Sequence, residues 1–283
     1  MDLVNELLNK RRPWGAGMRA LTLSLVFSTL LFGSVAVAQP VQTTPLEDQS
    51  TASLARQYIM MGGSEDLFVE GAAYGFQQAA EAGGLRLTPN QWQRVQAVVR
   101  EGFAPAAEVF IGELEAYVAT SSREDLIAAL NFYNTPAGQH YVMATIAYSF
   151  PLSTYLASQG RIPLQDAPRA DQLDTGKLAA ARAVAALLIA NLHEAERAQI
   201  DLTTIGVAGI EDFVARSLAN SLEVADLEAI NAWLSSPPSR RLEGPSAERT
   251  LRVQTATMRA MAAVDMPSLV ARIQAIMREP PPT

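Results

Sequence analysis

The segment 125–142, DLIAALNFYNTPAGQHYV, is echoed 101 residues later by DLEAINAWLSSPPSRRLE at 226–243. Asp125 aligns with Asp226, Leu126 with Leu227, Ala128 with Ala229, Phe132 with Trp233 and Pro136 with Pro237. In both copies an acid opens a short apolar-periodic stretch that closes on an aromatic side chain. A polar pair follows, Asn134-Thr135 or Ser235-Ser236, then Pro, then a long stretch of helical spacing. A repeat constrains architecture more than composition does. This one implies two related helical units divided near residue 165.

The stretch inside each copy reads as a corner between two helices. Thr135 and Ser236 are hydroxyl residues that can accept from the free N–H groups of the next helix. Pro136 and Pro237 lose nothing at a first helical position, where the N–H has no partner in any case. Phe132 and Tyr133 can pack under the first turn, with Gly138 beside it, and Trp233 under the second. Pro136 and Pro237 are each expected to open a helix, so continuous helix through 130–142 would refute the reading.

The rest of the chain follows the same rule. Alternating β-branched runs are missing and helical spacing is everywhere. Helices are expected at 52–61 and 65–82, separated by Gly62-Gly63, with Gly83-Gly84 ending the second. Thr88-Pro89-Asn90-Gln91 carries a capping-box start for a helix to about 119, bent near Pro105. Another capping pattern, Ser121 to Glu124, opens the helix into Phe132-Tyr133. The helix from Pro136 runs to about 158, disturbed at Pro151. Further helices are expected at 171–199, 207–219, 222–235, 238–263 and 267–278. The fold class is all-α: two related antiparallel multi-helix units packed together, preceded by an N-terminal signal helix. Its parts are a signal peptide at 1–38, a flexible lead-in at 39–50, a first unit at 51–162, a linker at 163–170 and a second unit at 171–279.

The signal reading rests on 18–38, MRALTLSLVFSTLLFGSVAVA. Arg19 precedes an apolar core that ends in Ala36-Val37-Ala38, the positive start, apolar middle and small-residue end of a secretory leader. Ala36 and Ala38 mark the expected cleavage site, and Met18 gives a leader of ordinary proportions as an alternative start. The apolar run is also near the roughly 20 residues that span a bilayer. The alternative is therefore an uncleaved anchor with Lys10, Arg11 and Arg12 on the cytoplasmic side. A periplasmic or secreted location in a Gram-negative bacterium follows, or an inner-membrane anchor facing the periplasm.

Export favours disulfides, yet the chain has no Cys. The body must fold on its core alone, and at about 245 residues it is long enough. Without Cys there is no thiol nucleophile, zinc finger or iron–sulfur cluster. Beyond residue 38 the chain holds 18 positive and 27 negative side chains, a net −9. An acidic body argues against nucleic-acid binding. Residues 239–283 are the exception, with seven arginines and four acids. That segment either packs beside the acidic body or faces acidic partners or lipid head groups.

Few residues suggest chemistry. The histidines are His140 and His193, in different repeats and outside any metal-binding spacing. His140 reads as a helix-flank residue near the corner and His193 as part of a solvated face beside Glu194 and Glu196. No G-x-S-x-G and no phosphate-cradling Gly loop occurs, and no metal or cofactor is implied. Tyr141, Tyr148 and Tyr155 do stand out. They fall seven apart, nearly two helical turns, and so share one slowly drifting face. They can pack against another helix, or line a groove for a peptide, glycan or lipid together with His140. The second copy has Leu242, Arg249 and Ala256 at the matching positions.

The pattern E-D-L-x-A-x-x-x-F-Y-x-[ST]-P-x-G-Q over 124–139 resembles the core motif of the exported bacterial family called domain of unknown function 2059. Phe132, Tyr133, Thr135, Pro136, Gly138 and Gln139 match it, and the match covers about 88–160. The second copy departs from the pattern at Trp233-Leu234 and Pro238-Ser239. The resemblance implies an all-helical, exported bacterial domain and no activity. The reading that follows is an exported, non-enzymatic protein that binds an unidentified protein or envelope component. Its membrane contact runs only through the N-terminal segment, if that stays uncleaved. Two alternatives stand beside it: a membrane-tethered structural protein, and an envelope hydrolase or lyase using Asp and Glu.

Overall fold

The computed structural model describes residues 45–61, 68–74, 76–77, 86–157, 164, 168–191 and 206–278. The leader with Ala36 and Ala38, His193 and the two Gly-Gly pairs lie outside them. The described residues are mostly helical, with no strand among them. In chain order the helices are α1 Thr51–Met61, α2 Pro89–Val118, α3 Arg123–Tyr133, α4 Pro136–Ala157, α5 Thr175–Ala190, α6 Gly206–Ser221, α7 Val224–Leu234, α8 Pro237–Glu243, α9 Ala247–Ala262 and α10 Met266–Arg278. A further helical stretch, 68–74, lies between α1 and α2.

Local sequence explains most of these boundaries. Thr88 and Gln91 form the expected capping box, Thr88 Oγ1 accepting from Gln91 N and Gln91 Oε1 from Thr88 N, with Pro89 at the first position. The cap of α3 is Ser122 and not the expected Ser121, its Oγ accepting from Asp125 N. Pro136 and Pro237 open α4 and α8, as the corner reading requires. The expected helix at 238–263 is corrected. It breaks at Gly244-Pro245, because Pro245 has no N–H and disfavours helical backbone at the residue before it, and Gly244 takes an extended conformation in which a side chain would strike the Arg240 carbonyl. Ser246 then recaps the chain by accepting from Arg249 N. The expected helix from 171 begins instead at Thr175, where Asp174 accepts from Lys177 N.

The two corners share their local hydrogen bonding. Helices α3 and α7 have equal length at the same offset. Asn134 N donates to Leu130 O and Ser235 N to Asn231 O. Thr135 N donates to Phe132 O and Ser236 N to Trp233 O, both at 2.9 Å. Gly138 N then donates to Thr135 Oγ1, and Ser239 N to Ser236 Oγ.

The core is where the linear reading needs its largest correction. Each corner sends its following helix onto the other half: α4 packs on α7 and α6, α8 on α3, and α9 and α10 on α2. One core joins α1, residues 68–74, α2 and Leu126 and Leu130 of α3 to Val253, Ala256 and Ala260 of α9 and Leu269, Ile273 and Ile276 of α10. The other joins Tyr141, Tyr148, Leu152 and Tyr155 of α4 to α5, α6 and α7. A division at 163–170 therefore does not divide the cores, because helices from both sides of it complete each one. A repeat read along the chain carries no information about which copy its last helices cover.

At the centre, Phe132 stacks on Trp233 with ring centroids 5.0 Å apart and planes 9° from parallel. These are equivalent residues, so a local two-fold axis passes between them. Two cores that share helices in this way should melt together. Trp233→Ala is expected to cost about 3–5 kcal/mol and to leave a single unfolding transition. Two resolved transitions by circular dichroism and tyrosine fluorescence would count against the exchange.

Candidate functional site

The expected functional row, Tyr141, Tyr148 and Tyr155, is not on the surface. The three residues are 1%, 1% and 4% exposed and pack into the core with α5, α6 and α7. The groove reading is thus corrected: an α4 face that leaves its own half has to be covered by the other. Thr145 stands beside the hydroxyls of Tyr141 and Tyr148. Burial pushes both phenols well up from their ordinary value, so they remain protonated.

The corner residues take up structural positions. Tyr133 is fully buried, and its ring meets Tyr58 of α1 and Trp233 edge-on. Thr135 hydrogen-bonds Phe132 O at 2.6 Å and caps α4. Gly138 is obligatory where it stands, since a side chain would strike Phe132 O and Tyr133 Cα. The second corner holds Ser239 at that place, fully buried, with its hydroxyl 3.4 Å from Glu243.

Glu243 is the residue that the linear reading missed. It is the last residue of α8, where the two cores meet, and its carboxylate accepts from Tyr133 at 2.7 Å and Tyr58 at 3.1 Å. Arg249, 8% exposed, contributes a nearby positive charge and reaches Leu242 O. Burial raises the Glu243 pKa above the usual carboxylate range, although Tyr133, Tyr58, Arg249 and Ser239 all pull it down. Burial and the same carboxylate push the Tyr58 and Tyr133 phenols up, so both stay donors. The echo carried a signal for this: Glu243 aligns with Val142, a polar residue against an apolar one.

Two carboxylate clasps join the corners, with the Asp125 carboxylate buried and the Asp226 carboxylate partly exposed. Asp125 of α3 accepts from Arg241 Nε at 2.7 Å and Nη2 at 2.6 Å, a bidentate pair. Arg241 holds the Asp125 pKa below the usual carboxylate range. Asp226 of α7 takes His140 Nδ1 on Oδ2 at 2.9 Å. Asp125 is equivalent to Asp226 and His140 to Arg241, so the clasps are the same contact made reciprocally across the axis. This is the self-complementary pattern of a two-fold interface within one chain. It gives His140 a structural role of the kind expected for a helix-flank residue.

The clasps differ in what they leave open. Beside the His140 pair is an open cavity of about 330 Å³ lined by His140, Met143, Ala144, Ser221, Glu223 and Asp226. Met143 is 59% exposed at its edge. Ser221, His140 and Asp226 are the residue types of a nucleophilic triad. Among the described residues, however, no hydrogen bond joins Ser221 to His140, and the pair already has a counterpart in Asp125–Arg241. No group of three His, Asp or Glu suited to a metal ion occurs among the described residues.

Tyr133→Phe removes the shortest bond to Glu243 and is expected to cost about 1.5–3 kcal/mol, as for a bond to a charged group. The sign of its pH dependence follows from the raised folded-state pKa. The stability that Glu243 contributes is present below its ordinary value near 4.3 and lost as pH rises through the folded value. Losing the Tyr133 donor raises that folded value further, so the gap between variant and wild type should widen from pH 4 to pH 8 in urea unfolding. A gap independent of pH would show that Glu243 does not titrate in this range. Comparison of the chain with family models, with curated proteins and with solved structures finds no match.

Proposed function

We propose that this chain is an exported, non-enzymatic binding protein of the bacterial envelope, and that it meets its ligand at the cavity beside His140 and Asp226. The observation that carries the reading is the difference between the two clasps. At Asp125 both carboxylate oxygens are held by a bidentate arginine, whereas at Asp226 only Oδ2 is held and a cavity opens beside the exposed Met143. Export is supported by the leader pattern at 18–38 and by the resemblance carried by Phe132, Tyr133, Thr135, Pro136, Gly138 and Gln139. A binding role fits better than hydrolysis, because the buried acid Glu243 spends its acceptor capacity on Tyr58, Tyr133 and Ser239. A carboxylate engaged in this way is poorly placed to exchange protons with a substrate.

A second reading keeps 18–38 as an anchor, and the length of its apolar run supports it. Among the described residues no single helix is long and apolar enough to cross a membrane. Mass spectrometry of the N-terminus in cells decides between the readings: a start after Ala38 supports cleavage, and an intact leader supports the anchor.

The site is tested by placing a photo-crosslinking amino acid at Met143, and separately at Met258, in the full chain expressed in its own envelope. Met258 is a suitable comparison because it is 63% exposed and lies on α9, away from the cavity lining. Discrete adducts at Met143 and none at Met258 are expected. Adducts at Met258 alone would move the binding surface to α9.

A further inference from the structure

The two clasps are one contact made twice, and only one of them is complete. At Asp125 both carboxylate oxygens are taken by the Arg241 guanidinium, through Nε and Nη2. At the equivalent Asp226, the imidazole of His140 takes Oδ2, and Oδ1 has no hydrogen-bond partner among the described residues. Histidine is shorter than arginine and presents one N–H where the guanidinium fork presents two. Beside this half-used carboxylate lies a space of about 330 Å³ open to solvent, with Asp226 in its wall. The Asp226 side chain is 17% exposed, and Oδ1 is the oxygen it leaves to the open cavity.

We propose that this cavity binds a guanidinium group carried on a flexible chain, which takes at Asp226 the place that Arg241 takes at Asp125. The proposal rests on the cavity being the binding site, as argued above, and adds the chemistry of what enters it. A carboxylate at the foot of a short helix matches the planar fork of a guanidinium better than the point charge of an ammonium. Oδ1 is available to one arm of the fork, and Oδ2 keeps a lone pair beyond its bond to His140. Met143 and Ala144 supply an apolar wall for the methylene stem, and the His140 ring a flat surface beside the head group. Glu223, also in the wall, is already paired with Lys177 Nζ at 2.7 Å. Asp226 is thus the lining carboxylate with an oxygen left for the fork.

The geometry dictates the test. The full chain is titrated with N-acetyl-arginine methylamide, with the matching citrulline derivative, and with an amidated Ala-Arg-Ala peptide, while backbone amide shifts are followed by NMR. The arginine derivative is expected to bind with a dissociation constant on the order of 1 mM, about −4 kcal/mol, and to shift amides at 140–144 and 221–226. Citrulline, the neutral isostere, should bind at least about tenfold more weakly. Tighter binding of the peptide than of the single residue assigns the guanidinium to a protein ligand, and equal binding assigns it to a free guanidino compound. His140→Arg should complete the second clasp, raise the unfolding midpoint and abolish binding. Asp226→Asn should abolish it as well, and if that variant does not fold, His140→Arg decides, since it retains the carboxylate. Equal binding of arginine and citrulline, or unaltered binding to His140→Arg, overturns the proposal. Crosslinking at Met143 without arginine binding would remove the ligand class and leave the binding site standing, whereas loss of both removes the site itself.

Discussion

The stack of Phe132 on Trp233 is the contact on which the arrangement of the chain depends. Each corner is a short helix closed by an aromatic residue and followed at once by a cap and a proline. On its own a corner leaves that aromatic face uncovered, and burying it against the same face of the other corner is the self-complementary solution. The stack adds about 0.5–1.5 kcal/mol beyond the area it hides, but its larger effect is geometric. It fixes the axis across which α4 enters the second core while α8, α9 and α10 return to the first. The Asp125–Arg241 and Asp226–His140 clasps lie on either side of it and hold the two corners in register.

Departures from that symmetry are as informative as the symmetry. In the first copy the helix after the corner runs unbroken from Pro136 to Ala157, through Pro151. In the second it stops at Glu243, turns at Gly244-Pro245 and restarts as α9. That stop places Glu243 between Tyr58 and Tyr133, beside Arg249, where the two cores meet. A buried ionisable group costs desolvation, and here the cost is visible as a raised pKa that four favourable neighbours do not cancel. What such a cluster contributes is specificity. Its groups come from α1, α3, α8 and α9, so its bonds form only when the exchanged helices are correctly seated.

Function is read from the same kind of asymmetry. Where one clasp uses arginine the other uses histidine, and an opening lies beside a carboxylate with one oxygen unpaired among the described residues. The tyrosines of α4 are evenly spaced and absent from the second copy, a pattern that in sequence suits a groove. Their spacing instead records a buried seam along which α4 fits the helices of the other half.

Much of the local structure was legible in the sequence. The capping box at Thr88 and Gln91, the prolines opening α4 and α8, and the all-helical class depend on residues within a few positions of one another, so local hydrogen bonding and sterics decide them. The echo also contained the clasps, because aligning Asp125 with Asp226 places His140 opposite Arg241. What the sequence left undetermined was which copy each helix would cover. The apolar faces of α4 and α9 fit a core in their own half as well as one in the other, and periodicity does not distinguish the two. Tertiary structure made that choice through long-range contacts: the Phe132–Trp233 stack, the reciprocal clasps and the burial of Glu243. Its consequence is that Tyr141, Tyr148 and Tyr155 became core while Asp226 was left facing an open cavity. The chain by itself determined its helices and corners because those are near-neighbour effects. Only the packing of distant segments could decide which polar groups would be satisfied within the fold and which would remain available to a ligand.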